Sequence, residues 1–330
     1  MNSRVDLHMH TIISDGTDTI PELLEKIQKL GITTFAVTDH DAIDGALQME
    51  RIVPAGIRFI RGVELSCKTE VAKCHILGYN YDPANKEITE FVAEAHEVRR
   101  DKTERRIQYL TKELGFTFTE EEIASVKSKT SPTKFDFAEL IRKRLQEEQP
   151  GITNKEIVAA YFKKLPGGRV DAPCGIKAIK ASGGIAVWAH PLGGTGERRL
   201  TGEQFRAQLD LLCSVGLDGL ECYYSEYTKE EIEMLCDAAT QKGLKISGGS
   251  DYHGTGKKHL HLGMLNKEDE VIEEQQLTMP NWNLDANPRN KRGQELSPLC
   301  LHRAGYCHAD FCSAYGKSNC RQHINHGSFC

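Results

Sequence analysis

No run of 18 or more apolar side chains interrupts the 330-residue chain, so no stretch of it reads as a membrane span. The first residues lack the apolar centre of a secretory leader, which points to a cytoplasmic protein. No Gly-rich phosphate loop ending in Gly-Lys-Ser/Thr is present. No Ser–His or Cys–His pairing stands out as an activated nucleophile. Charge of one sign is also missing: 42 Lys and Arg stand against 47 Asp and Glu, a net of −5. That balance gives no reason to expect binding to long duplex nucleic acid or to an anionic membrane. A local cluster of cations can still hold a small polyanion. Internal repeats are absent. The length suits one large α/β domain or one domain with an insert.

The chain is instead rich in histidine at particular places. "RVDLHMHTIISDGT" (4–17) carries Asp6, His8 and His10 at every second position and Asp15 shortly after. In a strand, alternate side chains share a face, so one carboxylate and two imidazoles are aimed together. Desolvating them is costly unless a partner such as a metal ion compensates. His40 closes a strand in "TDH", Glu64 lies in "GVELS", His75 opens "CHILGY", His190 closes "WAHP", and Asp251 and His253 sit at i and i+2 in "GSDYH". Chemistry in barrel-like α/β folds collects at the C-terminal ends of strands. One such motif is weak; four on successive strand ends form the pattern of a polynuclear metal site. His96, His259 and His261 lack this context and read as structural or solvent-exposed.

Short apolar runs alternate with amphipathic ones from Arg4 to about residue 84 and again from "GGIAVWAHP" (183–191), which argues for a parallel α/β sheet. The helix "TIPELLEKIQKLG" opens on a Thr19–Glu22 capping box and closes at Gly31. Residues 85–172 show only helical spacing, with capping boxes at Thr119/Glu122 and Thr153/Glu156, and read as an all-helical insert between barrel segments 1–84 and 173–278. The first helix of the insert is basic: Arg99, Arg100, Lys102, Arg105 and Arg106. Its plain reading is a solvated face. After Met279 the apolar period stops, and five of the 11 cysteines crowd into the last 31 residues with His302, His308, His323 and His326. Their spacing fits no zinc finger, and 279–330 reads as a disordered or non-native extension. The six earlier cysteines suit reduced core thiols.

"DLHMHTIISDGT", "VTDHD", "GVELS", "HILGY", "WAHP" and "GGSDYHG" together resemble the PHP (polymerase and histidinol phosphatase) superfamily of metal-dependent phosphoesterases. Within it, the chain looks most like the group that cleaves nucleoside 3′,5′-bisphosphates and trims short RNA from the 5′ end. The resemblance spans about residues 4–265. It implies a distorted seven-stranded β/α barrel holding two or three divalent ions (Mn, Zn or Fe, with Mg an option). The ligands carried over are His8, His10, Asp15, His40, Glu64, His75, His190, Asp251 and His253. Glu64 would bridge two metals, and Asp6 and Asp39 would orient neighbouring imidazoles. Whichever of His190 and His253 is not fully engaged by metal could protonate the leaving group. Asp15 stands where some members have histidine, and "TKFDFAELI" lacks a histidine often found before that helix. A substrate with a second phosphate needs a second cation, and Arg105, then Arg99, are the candidates on the basic helix. The alternatives are a phosphatase for another small monoester, such as histidinol phosphate, and a non-catalytic metal-binding module. Intact ligands argue against the module.

Overall fold

A computed structural model of the chain describes residues 4–162, 168–195, 197–268 and 270–278. The Cys- and His-rich segment 279–330 lies outside the described residues.

Eight strands form one sheet: β1 (Val5–Asp6), β2 (Thr34–Val37), β3 (Arg58–Lys68), β4 (Lys73–Tyr79), β5 (Val170–Asp171), β6 (Ile185–Ala189), β7 (Gly219–Tyr224) and β8 (Lys245–Gly249). Seven of them run in the order β1-β2-β3-β4-β6-β7-β8, while the two-residue β5 pairs with β3. The ends meet: Leu7 N–H donates to Gly248 O at 3.1 Å, Asp251 N–H to His8 O at 2.9 Å, and Met9 bridges Tyr252. The result is a nearly closed, distorted seven-stranded α/β barrel. Gly249 permits that closure, since a Cβ there would lie 2.2 Å from His8 Cβ and 2.5 Å from His8 N.

The sheet is mixed, where the alternation suggested an all-parallel one. β3 and β4 are joined by only four residues, too few for a crossover, so they pair antiparallel from Gly62↔Tyr79 to Lys68↔Lys73. β4 then runs antiparallel to β6. This reversal brings the N-terminal half of β4 to the rim where the other strands end. His75 therefore reaches the rim from the start of its strand, opposite Ser66.

Helices α1 (Ile20–Leu30), α2 (Asp44–Ile52), α7 (Ala172–Ala181), α8 (Gly202–Ser214) and α9 (Lys229–Lys242) accompany the strands. α1 has the expected Thr19–Glu22 box, Pro21 in its first turn and Gly31 in the left-handed region at φ 71°. Between β4 and β5 run α3 (Lys86–Gln108), α4 (Glu120–Lys127), α5 (Lys134–Leu145) and α6 (Asn154–Tyr161), with Tyr109–Glu113 extending α3 as a π-helical turn. Their own core is Leu110, Val126, Phe137, Ala138, Ile141 and Ile157. Ile88, Phe91, Val92 and Ala95 of α3 belong instead to the apolar cluster of β3, α7 and β6. One long helix thus shares both cores, which fixes its basic middle turns close to the barrel rim. β5 and α7 went unread in the sequence; two strand residues carry no period, and α7 follows at once.

Candidate metal centre

Glu64 lies inside the barrel rim, fully buried on β3. Five imidazoles surround its carboxylate. Oε2 meets His8 Nε2, His10 Nε2 and His40 Nδ1, each at 3.1 Å. Oε1 meets His75 Nδ1 at 3.0 Å and His190 Nε2 at 3.1 Å. Asp251 Oδ1 approaches His10 Nε2 at 3.3 Å and His8 Nε2 at 3.6 Å. On the outer side Asp15 Oδ1 faces His253 Nε2 at 3.3 Å, and Asp15 Oδ2 lies 4.0 Å from His40 Nε2. All nine expected ligands therefore come together. Their donor atoms fall into overlapping groups of metal-binding size: His8, His10, Glu64 and Asp251; His10, Asp15, His40 and His253; His40, Glu64 and His75; and His75 and His190 with a further carboxylate, Glu197.

The distances are short, yet of the contacts just given only His190 Nε2 to Glu64 Oε1 has the direction of a hydrogen bond. His8 Nε2, His10 Nε2, Asp15 Oδ1, His40 Nδ1, Glu64 Oε2 and His253 Nε2 are all buried without a hydrogen-bond partner. Orphaned polar atoms on this scale are costly, and divalent cations among them would satisfy every one. The donor set of imidazole and carboxylate suits such ions. Protonation favours the same reading in most members. Burial pushes the His40 imidazole down to about 3 and also lowers His75 and His253. Burial opposes ionisation of Glu64, Asp15 and Asp251, but the facing cations and imidazoles hold all three well below the usual range. Neutral imidazole and ionised carboxylate are the ligating forms. His8, His10 and His190 go the other way: against burial, the carboxylates they face raise all three, His10 to about 9. A metal ion would take over that attraction.

The backbone is strained where the site is built. His190 has φ 28°, Asp251 φ 54° and Asp41 φ 50°, in the region that side-chain-bearing residues avoid.

Asp6 has a different task from the one expected. It accepts from Ser250 N–H at 2.9 Å, Ser250 Oγ at 2.6 Å, Gly263 N–H at 2.9 Å and His8 N–H at 3.3 Å, and it touches no ring. Regular strand pairing ends at Asp6, so alternation does not carry it to the point where His8 and His10 converge. It buttresses the loop after β8 instead. Asp39 reaches His10 by hydrogen bonds through Ser14: Ser14 Oγ donates to Asp39 Oδ1 at 2.6 Å and lies 3.3 Å from His10 Nδ1. Gly45 leaves room for this carboxylate, since a Cβ would sit 1.9 Å from Asp39 Oδ2.

The carboxylate that does orient a ring is Glu221 on β7, which sequence reasoning missed. Its Oε1 lies 2.9 Å from His8 Nδ1, and its Oε2 accepts from His190 N–H at 2.7 Å. A lone charge inside the apolar strand "GLECYY" was the available signal. Also missed were Lys257 and Tyr224, which hold Asp251 Oδ2 at 3.0 and 3.1 Å and leave Oδ1 turned inward. His253 Nδ1 donates to Asp251 O at 2.6 Å, which leaves Nε2 as the ligating nitrogen. His190 Nε2 is likewise turned to Glu64 and His75. Both geometries support ligation rather than the proton-donor role expected for these residues.

Arg99 and Arg105 differ in setting. Arg99 Nη2 pairs with Asp41 Oδ2 and donates to Ser66 Oγ at 2.7 Å, beside His40 and His75. Arg105 Nε donates to Asp101 O on its own helix. Of the basic stretch, Arg106 is buried and Lys102 half-buried. An added Cβ on Gly168 would meet the Lys102 stem, and the Arg106 guanidinium lies over the Phe137 ring at 5.8 Å. Among the described residues neither cation has a carboxylate within ion-pair distance.

Barrel and metal cradle together define a metal-dependent hydrolase. Residues 6–174, just over half of the chain, match the family described as PHP domain, and the chain belongs to that family. A 5′-3′ exoribonuclease of Haemophilus influenzae is 29% identical over 257 residues, 77% of this chain and 91% of that protein. A 3′,5′-nucleoside bisphosphate phosphatase of Chromobacterium violaceum is 26% identical over 287 residues, 79% of this chain and 91% of its own. A crystal structure from Bifidobacterium adolescentis, assigned as a metal-dependent phosphoesterase, superimposes with TM-score 0.64 at 29% identity, covering 80% of this chain and 93% of that one.

Proposed function

We propose that this phosphoesterase acts on small nucleotides carrying two separated phosphates. It would remove the 3′-phosphate of a nucleoside 3′,5′-bisphosphate or cut next to the 5′ end of a short RNA. Residues 1–84 and 173–278 would supply the hydrolytic barrel, and residues 85–172 an insert that grips the non-reacting phosphate.

The observation that carries the substrate class is the set of cations beside the cradle. Burial first, then the charges of Arg106, Lys73, Arg169 and Arg99, together push the Lys102 ammonium down to about 7. Burial also lowers Arg106, to about 10. Asp136, which acts on Arg106 at longer range, is already paired with Lys129. So much positive charge packed together favours an anion among it. The cluster adjoins the metal ligands through Arg169, whose Nη1 donates to Cys74 O at 3.0 Å, next to His75. Arg99, committed to Asp41 and Ser66, anchors the helix there, while Lys102 and Arg106 remain to meet the phosphate. A histidinol-phosphate-like monoester would make no use of these charges.

Divalent ions held by the nine ligands would supply an activated water at neutral pH and a clamp on an in-line phosphoryl displacement. The chain's own contribution is placement. Glu64 offers an oxygen to each half of the cradle, Glu221 fixes the His8 ring, and Lys257 with Tyr224 fixes Asp251. The test is a panel of adenosine 3′,5′-bisphosphate, 3′-AMP, p-nitrophenyl phosphate and a 5′-phosphorylated trinucleotide, run with Mn²⁺ restored after chelation. Preference for the two-phosphate substrates supports the reading; equal kcat/KM across the panel contradicts it.

A further inference from the structure

His8 and His190 enter the cradle in the same way. Each turns Nε2 towards Glu64, at 3.1 Å. The far nitrogen of His8 rests on Glu221. The far nitrogen of His190 faces a carboxylate that no motif announced: Glu197 Oε2, at 3.5 Å from Nδ1. Glu197 belongs to the Gly-rich loop after β6, and that loop is wrapped onto the ring. Gly193 N–H donates to His190 O at 2.8 Å, and a Cβ on Gly194 would lie 3.0 Å from His190 Nδ1. Gly194 N–H in turn donates to Glu197 Oε2 at 3.4 Å. Arg169 holds the other oxygen, Nη2 to Oε1 at 3.2 Å, while its Nη1 donates to Cys74 O at 3.0 Å and Cys67 O at 3.4 Å across the β3–β4 hairpin. The carboxylate is thus tied to the frame on one side and presented to His190 on the other.

We propose that Glu197 is a positioning residue for the metal centre: it takes the Nδ1 proton of His190 in a hydrogen bond and so keeps Nε2 as the ligand towards Glu64 and His75, with Arg169 fixing Glu197 in turn. His190 has φ 28°, in the region that side-chain-bearing residues avoid, so its placement depends on the contacts around it. Carboxylates that orient ligating imidazoles in this manner sharpen metal affinity by 10–100-fold. The role places one carboxylate behind each of His8 and His190, two of the five imidazoles around Glu64. The inference rests on the metal-site reading and is independent of the second phosphate.

The experiment titrates chelator-treated protein with Mn²⁺ calorimetrically and follows p-nitrophenyl phosphate turnover as the metal is raised. Glu197→Ala is expected to weaken one Mn²⁺ step by about 10–100-fold, with turnover recovered at excess Mn²⁺. Glu197→Gln, whose amide oxygen can still accept from Nδ1, is expected to keep most of the affinity. Glu197→Asp keeps the charge but withdraws it from the ring, and is expected to fall with the alanine variant. Wild-type metal affinity in Glu197→Ala would overturn the proposal. So would loss of a whole equivalent that excess Mn²⁺ does not restore, which would make Glu197 a ligand. Should the alanine variant fail to fold, the Gln and Asp variants decide: an Asp variant matching wild type reduces the role to distant charge and overturns it too.

Discussion

The rim of the barrel and the basic face of the insert handle charge in opposite ways. At the rim, carboxylates and imidazoles face one another in a closed set, and the groups left over are acceptors and lone pairs turned inward. On α3, Arg99 is paired with Asp41, while Asp136 is engaged by Lys129 and Lys102 and Arg106 lie among like charges. The first arrangement wants cations and the second wants an anion. On the proposed reading, a phosphate ester bound across both would satisfy the two at once.

The comparison breaks most visibly at Glu64. Glu64→Gln removes the charge shared by both halves of the cradle, and should lower bound metal and turnover by orders of magnitude for every substrate. Asp39→Asn loosens Ser14 and Thr11 but leaves all donors in place, so about 10–100-fold in metal affinity or activity is expected. Metal analysis with turnover separates them; equal small losses would mean that Glu64 is not the centre of the cradle.

A smaller effect sharpens the insert side. Lys102 titrates near 7 in the folded chain against 10.5 unperturbed. The charge that the proposed reading assigns to the second phosphate is lost as pH rises through about 7. The ratio of kcat/KM for bisphosphate over monoester should therefore fall across that range, metal effects cancelling in the ratio. The stability sign is set by the unfolded chain, which binds more protons between pH 7 and 10.5, so this group's destabilisation is full below 7 and relieved as pH rises. A ratio flat from pH 6 to 9 would contradict the assignment. Smallest of all, Arg105→Ala should leave both substrates within about 0.5 kcal/mol, as for a surface change. A selective loss for the bisphosphate would restore Arg105 to the phosphate site.

The rim was legible in the sequence because strand ends recur in order, and each of "HMH", "TDH", "AHP" and "SDYH" brings its ligands to a predictable place. Asp6 misled because a period of two holds only while the strand lasts. Glu221 and Glu197 escaped because single carboxylates carry no spacing, and the Glu197 loop takes its path from Gly193 and Gly194 rather than from a regular element. The insert's helices were legible from their capping boxes. Which cation of α3 turns inward was not, because α3 is polar along most of its length and only packing against Phe137 and Gly168 selects Lys102 and Arg106. The antiparallel β4 follows from the four-residue link between Lys68 and Lys73, a constraint that strand composition alone does not express.

The division of labour between the two regions is tested most directly by Lys102→Ala, assayed for kcat/KM with adenosine 3′,5′-bisphosphate and with p-nitrophenyl phosphate at saturating Mn²⁺. Loss of one charged contact to a phosphate is worth about 2 kcal/mol, so the bisphosphate value should fall by about 30-fold while the monoester value stays within about twofold. Equal losses on both substrates, or none on either, would contradict the claim that the insert holds a second phosphate.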